Sequence, residues 1–144
     1  MGFGERAISV SQQAQLLEEF LASEAKAGKL NLTLKAADKP VLFHGHCHQK
    51  SFAAVTPALE LLKLIPNAEP KLIESSCCGM AGSFGYEAEH IAVSKQVAEA
   101  SLLPSIRKSP DSWVVADGTS CRHQIADGAQ REAVHIARIL AAHL

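Results

Sequence analysis

Apolar and polar positions follow one order that repeats along most of the chain: a short apolar run, a loop, and then a segment with helical periodicity. The runs PVLFHG, KLIES and SWVVADG have the length and bounds that are typical of buried strands, and AVHI predicts a shorter fourth strand. Strands that alternate with helices favour an α/β domain. The pattern therefore predicts a mainly parallel sheet of about four strands flanked by helices.

Residues 1–38 depart from this order and predict one helix followed by a loop. The segment SQQAQLLEEFLASEAKAGKL has helical periodicity, with Ser11 as a candidate cap and Gly28 as a candidate end. Residues 39–144 are predicted to form the α/β unit. The apolar residues that share one face of the first helix are Leu16, Leu17, Phe20 and Leu21.

Proline helps to place the helices that follow the strands. TPALELLKLI begins with a threonine and a proline, a combination that is typical of a first helical turn. YEAEHIAVSKQVAEASLL is predicted as one helix that ends before Pro104, and ARILAAHL as the closing helix.

Charge and hydropathy exclude several classes of protein. Fourteen basic and fifteen acidic residues give a net charge of −1, and no block of Lys or Arg predicts binding to nucleic acid. No apolar run has the length of a membrane span, and the first residues do not resemble a secretory leader. We therefore expect a cytosolic location, with any attachment to the inner face of a membrane being peripheral. Because thiols stay reduced there, the four cysteines indicate metal binding or redox chemistry before structural disulfides.

The cysteines occupy the same kind of position after three successive predicted strands. Cys47 follows the first strand, Cys77 and Cys78 follow the second, and Cys121 follows the third. Ligands of parallel sheets bind outside the carboxyl ends of the strands. We therefore expect the loops that carry the cysteines to project from one edge of the sheet.

Thiols brought together in this way have several uses. Iron–sulfur clusters are commonly held by four cysteines, and Gly79, Gly82 and Gly85 would let the backbone turn closely around such a core. Zinc takes the same ligands but favours Cys-x-x-Cys pairs, which this sequence lacks. Thiol–disulfide exchange and four inert, buried cysteines are the remaining interpretations.

Histidines are concentrated in two of the segments that contain the cysteines. His46 and His48 flank Cys47, and His123 follows Cys121 by two residues. Imidazole can ligate a metal, donate a proton near a reduced centre, or serve only as a hydrogen-bonded polar group. These three histidines are candidate ligands or neighbours of the centre, and His44 ranks below His46 and His48.

The motifs HGHCHQK, ESSCCGMAGSFGYE and ADGTSCRHQI, in this order, resemble the cysteine-rich CCG domain. That family includes the heterodisulfide reductase B subunit and the glycolate oxidase iron–sulfur subunit. The same motifs are similar to the C-terminal iron–sulfur region of FAD-linked oxidases of the D-lactate and D-2-hydroxyglutarate dehydrogenase type. The resemblance covers residues 41–144.

What the resemblance implies is electron transfer. FAD on a partner domain or subunit would oxidise a 2-hydroxy acid, and electrons would pass through a four-cysteine centre to an acceptor. Cys47, Cys77, Cys78 and Cys121 match the family's motif cysteines and favour a 4Fe–4S cluster, with zinc as the alternative. The fuller family pattern ends Cys-x-x-Cys, whereas Gln124 stands in the last position here. With no recognisable flavin-binding segment, the chain is expected to be one domain of a larger oxidoreductase, without turnover of its own.

Overall fold

The computed structural model describes residues 4–144 of the chain, so the first three residues of the predicted N-terminal segment lie outside it. Strands β1, β2 and β3 span Val41–His44, Lys71–Leu72 and Trp113–Ala116. A single 3-10 turn covers Phe84–Tyr86. The α-helices are α1 (Gly4–Gln13), α2 (Leu17–Lys26), α3 (Cys47–Ser51), α4 (Val55–Leu62), α5 (Ile91–Glu99), α6 (Leu102–Arg107), α7 (Thr119–Ala129) and α8 (Ile136–Ala142).

The three strands form a parallel sheet in the order β2-β1-β3, which confirms the α/β prediction. Strand β1 is central, and its register places Val41 opposite Trp113 and His44 opposite Ala116. The predicted fourth strand is reduced to a single parallel bridge between Val134 and Val115. The sheet of residues 4–144 therefore has three strands rather than four.

Alternate residues of the strands supply two separate cores, one on each side of the sheet. The core that we name the aliphatic face combines odd-numbered strand residues with α4 and α8; its main members are Val41, Phe43, Leu61, Leu62, Val115, Ile136, Ile139 and Leu140. The core that we name the cysteine face combines even-numbered strand residues with α6 and α7; its main members are Leu42, Cys78, Met80, Leu102, Ile106, Val114, Ala116, Cys121 and Ile125.

The N-terminal segment differs from its prediction. Two helices replace the single one, because the chain is extended at Leu16, the N-cap of α2. Leu16, Leu17 and Phe20 of the predicted apolar face are exposed, and only Leu21 packs against the core, whereas Glu18 and Ala22 are buried. Helix α2 packs against α4 with its acidic side chain inward, because a polar partner lies beneath Glu18.

The prediction of one helix ending before Pro104 is also wrong. The segment instead forms the 3-10 turn, α5 and α6, and Pro104 lies in the first turn of α6. Proline is tolerated there because the first amide groups of a helix have no intrahelical acceptor. Leu102, Leu103 and Ile106 can therefore enter the core in spite of the proline.

Candidate functional site

The loops that follow β1, β2 and β3 all leave the carboxyl edge of the sheet and surround one cleft. This cysteine cleft has a volume of about 500 Å³. The expected convergence of the loops is thus present in the structure. The residues that line the cleft are His46, Cys47, His48, Cys77, Cys78, Ala81, Gly82, Gly118, Thr119, Ser120 and Cys121.

The four cysteines are free thiols that differ in exposure. Cys47 is exposed, Cys77 is half-buried, and Cys78 and Cys121 are buried. The neighbouring thiol of Cys121 lowers the pKa of Cys78 to about 4, and the same interaction raises the pKa of Cys121. Burial raises the pKa of Cys77, and the neighbouring Cys47 adds to that increase. Of the two buried thiols, Cys78 therefore loses its proton readily and Cys121 retains its proton.

The glycine-rich turn after Cys78 wraps the chain closely around the cleft. Gly79 and Gly82 have φ values of +89° and +70°, which favour glycine, and the amide of Gly79 donates to Sγ of Cys77 over 3.2 Å. A Cβ atom at Gly79 would lie 2.1 Å from the carbonyl oxygen of Ser94. Gly85 is required for close packing, because a Cβ atom there would lie 2.4 Å from Sδ of Met80.

Helix α3, which begins at Cys47, holds the segments that precede the other cysteines. The ammonium group of Lys50 donates to the carbonyl oxygens of Ser75 and Ser76, immediately before Cys77, the second at 2.7 Å. The amide of Gln49 donates to Oδ2 of Asp117, in the loop before Cys121, over 2.6 Å. Two residues close to Cys47 thus hold both neighbouring loops.

Gln49 also joins the site to the N-terminal helices. Its Nε2 donates to Oε1 of Glu18 over 2.5 Å, and its Oε1 accepts from the amide of His46 over 3.1 Å. Asp117 accepts in addition from the amide of Ile136, the first residue of α8, over 2.8 Å. Glu18, Gln49, Lys50 and Asp117 were not predicted from the sequence. Their proximity to the cysteine motifs is the only sequence signal for three of them, and Glu18 has none.

The predicted histidines separate into two groups. His46 and His48 line the cleft, with ring centroids 5.7 Å apart. His46 is also the N-cap of α3, where its Nδ1 accepts from the amide of His48 over 3.2 Å, and burial lowers its pKa. His123 is not part of the cleft lining, and its Nδ1 lies 2.5 Å from the hydroxyl of Tyr86.

His44, the last residue of β1, is completely buried. Its Nδ1 lies 2.9 Å from Oγ of Ser75. Its Nε2 is buried without a hydrogen-bond partner among residues 4–144. Although the sequence ranked His44 below His46 and His48, its buried and unpaired nitrogen distinguishes it from both.

Gln124 stands where the CCG pattern, which the sequence resembles, has its last cysteine. Its Nε2 donates to the carbonyl oxygen of Cys78 over 2.9 Å and lies 3.1 Å from both oxygens of Ser94. The amide therefore holds the glycine-rich turn against α5. Gln124 lies outside the lining of the cysteine cleft.

The donor set suits a centre held by several thiolates. Four sulfur ligands are the usual set for iron–sulfur clusters. The wall opposite the turn is close-fitting, since a Cβ atom at Gly118 would lie 3.0 Å from Sγ of Cys121. Within residues 4–144, however, no three Cys, His, Asp or Glu side chains form a group arranged to hold one metal ion.

Comparison with known proteins identifies relatives among dehydrogenases. The anaerobic glycerol-3-phosphate dehydrogenase of Escherichia coli K12 has a subunit, designated C, that is 32% identical over 127 residues, which cover 88% of this chain and 32% of that protein. D-2-hydroxyglutarate dehydrogenase of the same strain is 32% identical over 85 residues, or 58% of this chain and 8% of that protein. The enzyme of that name from Pantoea ananatis is 38% identical over 53 residues, or 37% of this chain and 5% of that protein.

The chain is similar to parts of two dehydrogenases. The predicted resemblance to D-2-hydroxyglutarate dehydrogenase is thereby confirmed, and the chain spans about a third of the length of the glycerol-3-phosphate dehydrogenase subunit. No family model matches the chain, so its assignment to the CCG domain stays a prediction. No solved structure matches it either. In the part of the chain that the structure describes, no helix has the length and apolar character needed to cross a bilayer.

Proposed function

We propose that the chain is the electron-relay part of a flavin-linked dehydrogenase and that Cys47, Cys77, Cys78 and Cys121 hold an iron–sulfur cluster, of the 4Fe–4S type. The observation that carries the proposal is the placement of all four thiols around one cleft. The similarity to parts of two dehydrogenases supports a redox role for that cleft.

A cluster suits these thiols better than a single ion. The ligands of a cluster bind different iron atoms and are spread around its core, whereas the ligands of zinc converge on one point. The turn containing Gly79 contributes an amide hydrogen bond to the sulfur of Cys77, and such hydrogen bonds tune the reduction potential of thiolate-bound clusters. When bound, the group would supply reversible one-electron transfer.

The chain's own residues would bind and hold the centre. The buried pair Cys78 and Cys121 has one readily lost proton, which favours binding because thiolates are the ligands. Lys50 fixes the loop before Cys77, and its positive charge lies at the same edge of the sheet as the thiolates. Opposite charge near a thiolate centre favours its more negative, reduced state.

The substrate would be oxidised elsewhere. Both relatives are named for the oxidation of a substrate that carries a hydroxyl group. Removal of hydride from such a substrate needs an electron-accepting cofactor, which Cys and His side chains cannot replace. We therefore place FAD on a partner domain or subunit and assign to this chain the step from flavin to the next acceptor. The similarity to D-2-hydroxyglutarate dehydrogenase favours a 2-hydroxy acid as the substrate class, whereas glycerol 3-phosphate, named in the other relative, is not a 2-hydroxy acid.

Anaerobic reconstitution with iron and sulfide tests the proposal. The protein is expected to bind iron and sulfide in equal amounts, to absorb visible light, and to lose and regain that absorption on reduction with dithionite and reoxidation. Changing Cys47, Cys77, Cys78 or Cys121 to Ser should each remove most of the iron, because each change deletes one of four ligands. Ser120→Ala is the matched control, since Ser120 lines the same cleft without a thiol.

Two outcomes would contradict the proposal. A colourless protein that binds zinc in preference to iron would indicate a structural zinc module without redox activity. Full iron content in two or more of the Cys→Ser variants would show that the cleft is not the binding site.

A further inference from the structure

The position of His44 directs its ring toward the cysteine face of the sheet. Successive side chains of a strand point to opposite faces, so His44 shares a face with Leu42, which packs in the same core as Cys78 and Cys121. Ser75, which contacts Nδ1, belongs to the loop that leads to Cys77 and Cys78. The His44 side chain thus joins the end of β1 to the second cysteine loop.

The unpaired Nε2 of His44 is an unusual feature of such a well-packed core. Buried side-chain nitrogens nearly always have a hydrogen-bond partner, because burial without one is costly. Each such exception needs an explanation, and a redox or catalytic role is one of the recognised explanations. The thiol of Cys78 is the candidate partner, because Cys78 is buried in the core on the same face of the sheet and follows the loop of Ser75, which contacts the other nitrogen of His44.

We propose that His44 donates a hydrogen bond from Nε2 to the sulfur of Cys78 in the loaded centre, and that this bond positions the thiolate and raises the reduction potential. The inference rests on the proposed function. It assigns the neutral tautomer of His44: the Ser75 hydroxyl donates to Nδ1, 2.9 Å away, rather than to the carbonyl oxygen of Ile73, 3.5 Å away. This tautomer leaves the hydrogen on Nε2, where it is available to the sulfur of Cys78.

The expected effect on potential follows from charge. Reduction places an additional negative charge on the cluster and its sulfur ligands, and a hydrogen bond to sulfur stabilises that state. Removal of the donor should therefore make the centre harder to reduce. We expect the ratio of reduced to oxidised centre at a fixed potential to fall about tenfold, which is about 59 mV for a one-electron couple.

The experiment compares four reconstituted proteins: the natural sequence, His44→Leu, His44→Gln and His143→Leu. Leucine removes the donor at similar volume, whereas glutamine retains an N–H group. His143 is the matched control, because it is a second buried histidine whose Nδ1 contacts the carbonyl oxygen of Ile139 in α8. Far-UV circular dichroism checks folding, iron analysis checks loading, and a redox titration followed by electron paramagnetic resonance gives the potential.

The inference is supported if His44→Leu has a lower potential while His44→Gln and His143→Leu match the natural sequence. Loss of iron from His44→Leu alone, with rescue by glutamine, also supports a donor to Cys78. Equal potentials in loaded His44→Leu and natural protein would overturn the inference and leave the proposed function standing, as would equal loss of iron from both His44 variants. Failure of the natural sequence to bind iron would overturn both.

Discussion

The aliphatic face and the cysteine face are built from alternate residues of the same strands, but different groups fill them. Beneath α4 and α8 the core consists of aliphatic side chains and Phe43. Beneath α6 and α7 the core includes Cys78 and Cys121, and the polar groups of His44 and Gln124 are buried nearby. One layer of backbone thus separates a core that contributes mainly stability from a core that also positions reactive groups.

This difference indicates how the protein combines rigidity with chemistry. Hydrophobic burial needs only apolar area and good packing, so the aliphatic face can stabilise the sheet without contact with the cleft. The role left to the cysteine face is to orient the side chains that surround the cleft. The two faces should therefore respond differently to substitution, and the following predictions test that separation.

The largest effect on stability is expected on the aliphatic face. Ile139→Ala removes a completely buried side chain between α8 and the sheet and should lower the free energy of unfolding by about 4 kcal/mol. Urea unfolding measures this loss, with the exposed Ile8→Ala as the control. Iron bound per folded molecule should stay unchanged; a fall in iron content would show that the two faces are coupled.

Two glycines of the same turn should differ in their tolerance of alanine. Gly79→Ala combines a positive φ with a contact 2.1 Å from the Ser94 carbonyl oxygen, and should cost about 3 kcal/mol. Gly82→Ala has the positive φ but open space around it, and should cost about 1 kcal/mol. Equal losses in thermal or urea unfolding would mean that backbone conformation alone, and not close packing, governs this turn.

Loss of the hydrogen bonds that Lys50 makes should have a moderate effect on stability. Lys50→Met keeps the apolar stem but removes the two hydrogen bonds to the loop before Cys77, at a cost of about 2 kcal/mol. Reconstituted protein should also release iron to a chelator several-fold faster, because the second cysteine loop is less firmly held. The exposed Lys63→Met is the control. An unchanged rate of iron release would contradict the role of Lys50 in holding the loop before Cys77.

Metal removal should have the smallest effect on the fold. Because the aliphatic face contains no cysteine, a chelator should leave the far-UV circular dichroism nearly unchanged. Hydrogen exchange should quicken in residues 76–86 while the amides of β1 and α4 keep their protection. Global unfolding by the chelator would instead make the centre a requirement of the whole domain.

The parts predicted from the sequence were those with a local signal. Short apolar runs identified three strands, and the loops of a parallel sheet meet at its carboxyl edge, which is why the proximity of Cys47, Cys77, Cys78 and Cys121 could be expected. The prediction that glycines let the backbone turn closely named Gly79, Gly82 and Gly85; the first two have positive φ values, whereas Gly85 does not and is close-packed against Met80 instead.

The parts that could not be predicted depend on contacts between distant segments. Tertiary packing brings Gln49 within hydrogen-bond distance of Glu18 and Asp117, and no sequence periodicity predicts these contacts. The same packing buries an acidic side chain of α2 in place of Leu17. His44 stood out from the sequence only as a lower-ranked histidine, because the lack of a partner at Nε2 is visible only in three dimensions.

The central position of β1 has a consequence for how the proposed cluster would be assembled. Both β2 and β3 pair with β1, and not with each other, so each of the two outer cysteine loops reaches Cys47 through a separate pairing event. Neither event alone gathers all four thiols. Pairing of segments distant in sequence is slow, because the chain loses entropy before such contacts form. Maturation of the centre should therefore follow completion of the sheet, and its visible absorption would report the last stage of folding during biosynthesis.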